Sequence, residues 1–301
     1  MLMVASPGFT HLATNAARFK CLNTVIIHGP LLLSNVIPLF LMPTLRSLEL
    51  HQAITLPSQA DRQLPWEASE TDQYNLTPNS IALESLALKK SYLQTTALSM
   101  LLNSIKSLKS FTYEHVRHKL SHPRDMRLLV DYMHLADALA RHSDTLATLR
   151  LHDKYDTWMT GLMYVLTRLH RLEELDIKLP HEAAQALIQT PSRPSAIEVD
   201  MWLEAYFPPA SLHTLKLRSA VTARAFSRSF ARHCRAPACK RFADDNALNS
   251  VTVLRALAKR GLKHVCLAFS VCDLPAPDCF LLTQGVFASA GLEFELVDYY
   301  D

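Results

Sequence analysis

The stretch that decides the fold is Leu146-Ala147-Thr148-Leu149-Arg150-Leu151-His152, which has apolar residues at its first, fourth and sixth places. The end of this motif alternates apolar and polar residues with a period of two, which favours a half-buried strand over an amphipathic helix. Eight copies begin 23 to 50 residues apart, a spacing typical of repeats that each contribute one strand. Their first residues are Leu22, Leu45, Leu83, Leu108, Leu146, Leu172, Leu212 and Leu262.

The repeated motif predicts an α/β fold, namely a leucine-rich-repeat solenoid of about eight to nine irregular repeats. Its curved parallel sheet would form the concave side, and helices and loops would form the convex side. We predict one such domain over residues 1–301. Within it we expect an N-terminal cap over 1–20, helical to about Phe19, and an excursion loop over 52–80. An atypical basic insertion would follow at 219–250, and a C-terminal strand and tail at 292–301.

Composition narrows the classes of function. Of the 301 residues, 49% are hydrophobic and 20% are charged, which excludes wholesale disorder. There are only six glycines and no GxGxxG or GKS/GKT string, so the sequence lacks a glycine-rich phosphate loop. A net charge of +3 is too small to predict a nucleic-acid partner.

Three features bear on the compartment. The N-terminal residues have no basic segment followed by a sustained apolar run, so we expect no secretory signal. The most apolar stretch, Val25 to Met42, is broken by Gly29, Pro30 and Pro38, and we interpret it as a buried strand and helix rather than a membrane span. The six cysteines form no CxxC pair and are interpreted as buried thiols of a reducing compartment. Cytosol or nucleus is therefore expected, with no membrane partner.

The sequence signals for a catalytic or metal site are incomplete. His115, His118 and His122 lie close together but lack a carboxylate or thiolate to complete a tetrahedral set, so we interpret them as part of a solvated loop. Cys234 and Cys239 resemble half of a zinc site, yet no second pair follows. No serine lies in a GxSxG elbow. We therefore predict no catalytic residue, no metal and no cofactor.

The motif also predicts which residues could meet a partner. Its leucines would point into the core, while the residue between the last two apolar places and the residue after them would line the concave sheet. We expect a protein partner on this face and a monomeric chain. The predicted contact residues are Glu49, His51, Lys89, Glu114, Arg150, His152, Asp176, Lys178, Lys216 and Arg218.

A basic segment offers an alternative function. Arg224, Arg228 and Arg232 recur at helical spacing within residues 216–241, which also contain Lys216 and Arg218. Such a stripe could bind an anionic surface, either nucleic acid or a phosphorylated partner. The competing interpretation is a solvated helix face over the longest interval between motifs.

Several strings resemble the F-box/leucine-rich-repeat proteins of filamentous fungi. They are Leu83 to Leu88 with Ser91-Tyr92-Leu93, Leu108 to His115, Asp137 to Leu146 and Leu292 to Tyr299. The resemblance covers nearly the whole chain from about Phe19. It implies that the repeats recognise the substrate protein of a ubiquitin ligase. In that family an N-terminal F-box recruits a Skp-type adaptor and a cullin.

The chain departs from that family in two ways. We predict that the F-box is absent from this chain, so the resemblance implies the repeat portion only, and adaptor and cullin are expected only if an F-box is present elsewhere. The asparagine expected three residues after the last leucine of the motif is also missing. Its place is taken by Ser91, Val116, Lys154 and Ala220, so the hydrogen bonds between turns need other donors.

Overall fold

The computed structural model describes ten ranges: 2–5, 21–55, 76–116, 131–153, 166, 168–177, 211–218, 255–269, 284–285 and 287–298. The chain divides into two compact units. Unit 1 is Met1–Tyr155 and unit 2 is Asp156–Asp301. Both are built on parallel strands with few helices, so the architecture is α/β.

Unit 1 contains eight described strands and three helices. Its strands are β1 (Leu2–Ala5), β2 (Thr24–His28), β3 (Leu31–Leu32), β4 (Ser47–His51), β5 (Ala53–Ile54), β6 (Ser85–Ser91), β7 (Ser110–His115) and β8 (Thr148–Asp153). Its helices are α1 (Leu33–Phe40), α2 (Thr95–Ser104) and α3 (Tyr132–Ala140). The strands pair in parallel in the order β1-β2-β4-β6-β7-β8, and β3 pairs with β5.

Unit 2 contains four described strands: β9 (Glu174–Ile177), β10 (Thr214–Arg218), β11 (His264–Phe269) and β12 (Glu293–Asp298). They pair in parallel in chain order. Residues 255–259 and 287–289 are helical and precede β11 and β12 respectively. The stacked rings of Phe287 and Phe294, with centroids 4.6 Å apart, join the second helical segment to the strand that follows it.

The strand interpretation of the motif is confirmed at all eight copies. Each copy's strand begins two residues after its first leucine, from β2 after Leu22 to β11 after Leu262. In β4 the apolar places are filled by Leu48 and Leu50, which are fully buried, while Ser47, Glu49 and His51 are half-buried. The hydrophobic effect therefore fixes the register, because a slip by one residue would expose every leucine of the strand.

The backbone repeats its hydrogen bonds from one motif to the next. The carbonyl of Asn23 accepts from the N–H groups of both Arg46 and Ser47 at the start of the next motif. The residues Gly29, Gln52 and Lys90 each follow the last polar residue of a motif, and all have positive φ, at 116°, 61° and 48°. Positive φ thus recurs at the equivalent position of the first three motifs. The same double acceptance recurs at the carbonyls of Arg46, Glu84, Lys109, Glu173 and His213.

Ser91 occupies one of the places where the resemblance predicts an asparagine. Its Oγ accepts a hydrogen bond from the N–H of Ala53 at 3.1 Å and donates to the carbonyl of Lys89 at 3.0 Å. The side chain is fully buried. A serine can therefore link two successive motifs here, because one hydroxyl is both a donor and an acceptor.

The structure corrects two boundary predictions. Leu2–Ala5 is a strand paired with β2, so the predicted helix is wrong for these four residues, and residues 6–20 lie outside the described part. The predicted loop over 52–80 contains β5, whose Ala53 and Ile54 continue the hydrogen bonding begun at β3. Residues 56–75 of that loop lie outside the described residues, as does all of 219–250. The single-domain assignment stays a prediction.

The apolar stretch Val25 to Met42 forms β2, β3 and α1, as the sequence predicted. Among the described helices, none is both long and apolar enough to pass through a bilayer. The cysteine prediction holds for Cys266, which is buried, but Cys21 is exposed because it lies in a turn before β2. The other four cysteines lie outside the described residues.

Candidate functional site

One surface of unit 1 carries polar side chains from five neighbouring strands, and we call it the polar face. It consists of the first, third and fifth residues of β2, β4, β6, β7 and β8, which align in parallel register apart from a shift between β6 and β7 after Leu88. These side chains are exposed or half-buried, except that Thr112 is 9% exposed. The first row is Thr24, Ser47, Ser85, Ser110 and Thr148. The middle row is Ile26, Glu49, Ala87, Thr112 and Arg150, and the last row is His28, His51, Lys89, Glu114 and His152.

The face exists because side chains alternate along a strand. On β6, Leu86 and Leu88 are buried, so Ala87 and Lys89 must point to the opposite side of the sheet. The same alternation holds along β2, β4 and β8. Pairing the strands in register then turns one place in a local motif into a continuous row of side chains across the sheet.

Glu49 is the centre of the charged part of the face. Its Oε1 accepts from Nε2 of His51, two residues along β4, at 2.6 Å. The same oxygen accepts from Nζ of Lys89 on β6 at 2.7 Å. Burial raises the pKa of Glu49, but the bonds from Lys89 and His51 outweigh it and hold the pKa below its usual value. Glu49 is therefore ionised over the physiological pH range and fixes two basic side chains.

His28 extends this cluster to β2. Its ring centroid lies 4.1 Å from that of His51, and the two ring planes are tilted by 41°. His28 is exposed, while the side chain of His51 is 23% exposed. His51 and Lys89 therefore contact one carboxylate, and His28 lies against His51.

A second charged pair lies on β7 and β8. Nδ1 of His152 is 3.8 Å from Oε1 of Glu114, and the two residues are directly opposite in the strand register. His152 lowers the pKa of Glu114, and burial opposes this effect without cancelling it. Arg150 lies in the middle row on β8, where it is half-buried and directly opposite Thr112 of β7. All six face residues predicted for unit 1 therefore lie on one surface.

The four predicted face residues of unit 2 have different outcomes. Lys216 is 31% exposed and pairs with Glu174, with 3.1 Å between Nζ and Oε1. Asp176 is only 1% exposed, so the prediction that it lines an exposed face is wrong. The last three residues of β9, Leu175, Asp176 and Ile177, are all buried. Arg218 ends β10, while Lys178 and the basic residues Arg224, Arg228 and Arg232 lie outside the described residues.

The histidine loop prediction is wrong for His115, which ends β7 and is 3% exposed. A hydrogen bond of 2.9 Å joins its Nδ1 to the hydroxyl of Tyr113. It is buried because it continues the core side of the strand past the motif. His118, His122, Cys234 and Cys239 lie outside the described residues. Within the described ranges, no group of three or more His, Cys, Asp or Glu side chains is placed to hold a metal ion.

Sequence reasoning missed His28 and the hydroxyl row. His28 follows the first motif at the same place that His51 follows the second, so the motif itself carried the signal. The first row consists only of serine and threonine at equivalent motif positions. The sequence analysis assigned two places of each motif to the exposed face: the residue between the last two apolar places and the residue after them. Applying this assignment to the first copy would have found His28, and adding the third place of each motif would have found the hydroxyl row.

Comparison of the chain with protein-family models, with curated proteins and with solved structures finds no match. The polar face itself is therefore the basis for a functional assignment.

Proposed function

We propose that this chain is a non-catalytic protein-interaction scaffold of the leucine-rich-repeat type, which presents the polar face of unit 1 to a protein partner. The observation that carries the proposal is the alignment of charged and hydroxyl side chains on five adjacent strands. Glu49, Lys89 and His51 hold one another in place within that face. Side chains that are already ordered lose less conformational entropy when a partner binds.

The backbone supports the repeat part of the proposal. Parallel strands recur at each motif, and the same carbonyl position accepts two N–H groups from the following motif. Ser91 supplies the link that an asparagine supplies in the family that the sequence resembles. These features are what a repeat array needs, since each unit contacts its neighbours through the same bonds.

The size of the face indicates the kind of contact. Five strands at about 4.8 Å spacing span roughly 20 Å, and the three rows cover about 13 Å along each strand. This area is less than the roughly 800 Å² that each partner contributes to a standard interface. The polar face is therefore proposed as the centre of a larger interface.

The resemblance to F-box proteins suggests what the partner does. On that basis the partner is a substrate protein delivered for ubiquitination in the cytoplasm or nucleus. A Skp-type adaptor and a cullin join only if an F-box is provided. Of the alternative anionic-surface segment 216–241, only residues 216–218 are described, and there Lys216 is paired with Glu174.

Site-specific photocrosslinking tests the proposal. A photoreactive amino acid replaces Ala87, which lies half-buried in the middle row and carries no charge, and the matched control replaces Asp137, an exposed residue of α3. After irradiation in an extract of the cells that express the protein, mass spectrometry should identify a protein attached at position 87 and not at position 137. The attachment should be lost when Lys89→Glu and Arg150→Glu are added. Equal labelling at both positions, or labelling unaffected by the charge reversals, would contradict the proposal.

A further inference from the structure

Strand β12 has one side of its backbone without a neighbouring strand. Among the described residues β12 pairs with β11 alone, in a parallel register of six residue pairs. The N–H of Glu293 donates to the carbonyl of Lys263, so Glu293 directs its backbone groups towards β11. Successive residues of a strand direct these groups to opposite sides, so Phe294 and Leu296 direct theirs away from β11. We call this side of β12 the open edge.

The open edge lacks the usual protection against the addition of another strand. Proteins commonly blunt such edges with proline, lysine, a bulge or a very short strand. β12 extends over six residues, Glu293–Asp298, and contains neither proline nor lysine. It also pairs with β11 without a bulge. The ladder can therefore be continued by another extended backbone.

Two lysines show how a following strand neutralises a glutamate in this sheet. Lys89 on β6 pairs with Glu49 on β4, with 2.7 Å between Nζ and Oε1. Lys216 on β10 pairs with Glu174 on β9, with 3.1 Å between the equivalent atoms. In both cases the lysine lies in register with the residue two places after the glutamate. The same diagonal contact thus recurs in both units.

Glu293 has the place on β12 that Glu174 has on β9, because the two are aligned through the registers of β10 and β11. Glu293 is exposed, and no cation in the described part of the chain forms an ion pair with it. Glu295 is also exposed, with a side chain that is 56% accessible, and its described partner is His264 of the preceding strand at 3.4 Å. β12 therefore presents two carboxylates at its open edge, and no described lysine follows them.

We propose that the open edge of β12 binds an extended, lysine-containing segment of a partner protein, which adds to the sheet as a parallel strand. A lysine in register with Glu295 would reach Glu293 in the way that Lys216 reaches Glu174. In strand addition, main-chain hydrogen bonds supply affinity and side-chain contacts supply specificity. The residues involved belong to unit 2, so the inference does not rest on the polar face of unit 1.

A second copy of this chain is a poorer occupant of the open edge. Its β12 would place glutamates against Glu293 and Glu295, and like charges on neighbouring strands destabilise a sheet. Its β1 consists of Leu2–Ala5 and offers no cation at any of the four positions. Charge complementarity therefore favours a basic segment from another protein.

Fluorescence anisotropy with strand peptides tests the inference. The probe is a fluorescein-labelled peptide with the sequence of residues 212–218, because β10 already places its lysine against a glutamate. The matched peptide has glutamate in place of that lysine. We expect the full chain to bind the lysine peptide about fivefold more tightly than the glutamate peptide, and Glu293→Lys to abolish this preference. Glu173→Lys, at an exposed position before β9, is the control and should preserve it.

N-methylated peptides test the main-chain hydrogen bonds. In β10 the N–H of Thr214 donates to the carbonyl of Glu173 in the preceding motif. The threonine and the lysine of the probe should likewise turn their N–H groups to β12, so N-methylation of both should abolish binding. N-methylation of the two leucines that flank the lysine should leave binding intact, because their N–H groups point away from β12.

The inference is overturned by no binding of the lysine peptide, by equal effects of the two N-methylation patterns, or by a lysine preference that persists in Glu293→Lys. Self-association of the chain that the peptide displaces would also overturn it, because the open edge would then belong to a second copy. Circular dichroism establishes that both variants fold. Photocrosslinking at position 87 is independent of these results, so failure here leaves the proposed function of the polar face untouched.

Discussion

Lys89 and Glu49 form an ion pair across neighbouring parallel strands, with 2.7 Å between Nζ and Oε1, although 40 positions separate them in the chain. Their side chains are 35% and 25% exposed, so water screens the pair only in part. Another pair, Lys109 with Glu84, has the same length but lies in the open, with side chains 60% and 41% exposed. The two pairs separate the effect of exposure from that of distance.

A double-mutant cycle with Glu49→Gln and Lys89→Gln should give a coupling free energy of about 0.5 kcal/mol, after allowance for solvent screening. The same cycle at Glu84 and Lys109 should give no measurable coupling, because exposed charges remain hydrated. Urea unfolding followed by circular dichroism measures both. Equal coupling in the two cycles would show that partial burial does not strengthen the face pair.

His142 should make the protein less stable in mild acid. Burial lowers its pKa, and Arg141 adds to this effect, while the hydrogen bond that Nε2 donates to the carbonyl of Leu102 opposes it. The unfolded chain therefore takes up the proton first as pH drops below 6.5. The stability that neutral His142 contributes is therefore complete above pH 6.5 and is lost as the pH falls toward the pKa of His142 in the folded protein.

We expect His142→Gln to reduce the fall in unfolding free energy between pH 7.5 and pH 5.5, as measured by urea denaturation at each pH. His134→Gln removes an exposed histidine of the neighbouring helix and is the control. If both variants keep the wild-type pH dependence, burial of His142 is not its cause.

Ser91→Ala should destabilise the fold by about 2 kcal/mol, because it leaves the N–H of Ala53 and the carbonyl of Lys89 without this buried partner. Ser104→Ala is the matched control. Ser104 is also buried, but its Oγ donates only to the carbonyl of Met100 within α2, and alanine favours helices. Thermal unfolding should show a clear loss for the first variant and little change for the second. Equal losses of stability in the two variants would show that Ser91 does not link the motifs.

Aspartate substitutions at adjacent positions test the two sides of β6. Leu88→Asp places a charge in the core, where it has no partner, and should prevent stable folding. Ala87→Asp adds a charge to the polar face and should change the unfolding free energy by less than about 1 kcal/mol. Circular dichroism melts of the two variants provide the comparison. Similar melting temperatures of the two variants would argue against the alternation of buried and exposed side chains along β6.

The sequence predicted the strands well because their signal is local. Each copy of the motif contains its own apolar and polar alternation, and burial of its leucines is enough to choose strand and register. The presence of every described motif strand, its buried places and the six unit 1 face residues follow from that pattern, although each strand begins two residues after the first leucine of the motif. The boundary errors occurred outside the motif, at Leu2–Ala5 and Ala53–Ile54, where short strands depend on a neighbouring backbone.

Tertiary structure decided which polar side chains meet. The sharing of one Glu49 oxygen by His51 and Lys89 requires β4 and β6 to lie side by side, and the contact of His28 with His51 requires the same of β2 and β4. Asp176 is likewise buried at a place where the motif predicts an exposed residue. A periodic pattern determines which side chains of a strand face the core and which face water. The distances between residues far apart in the chain are set only when the strands pair.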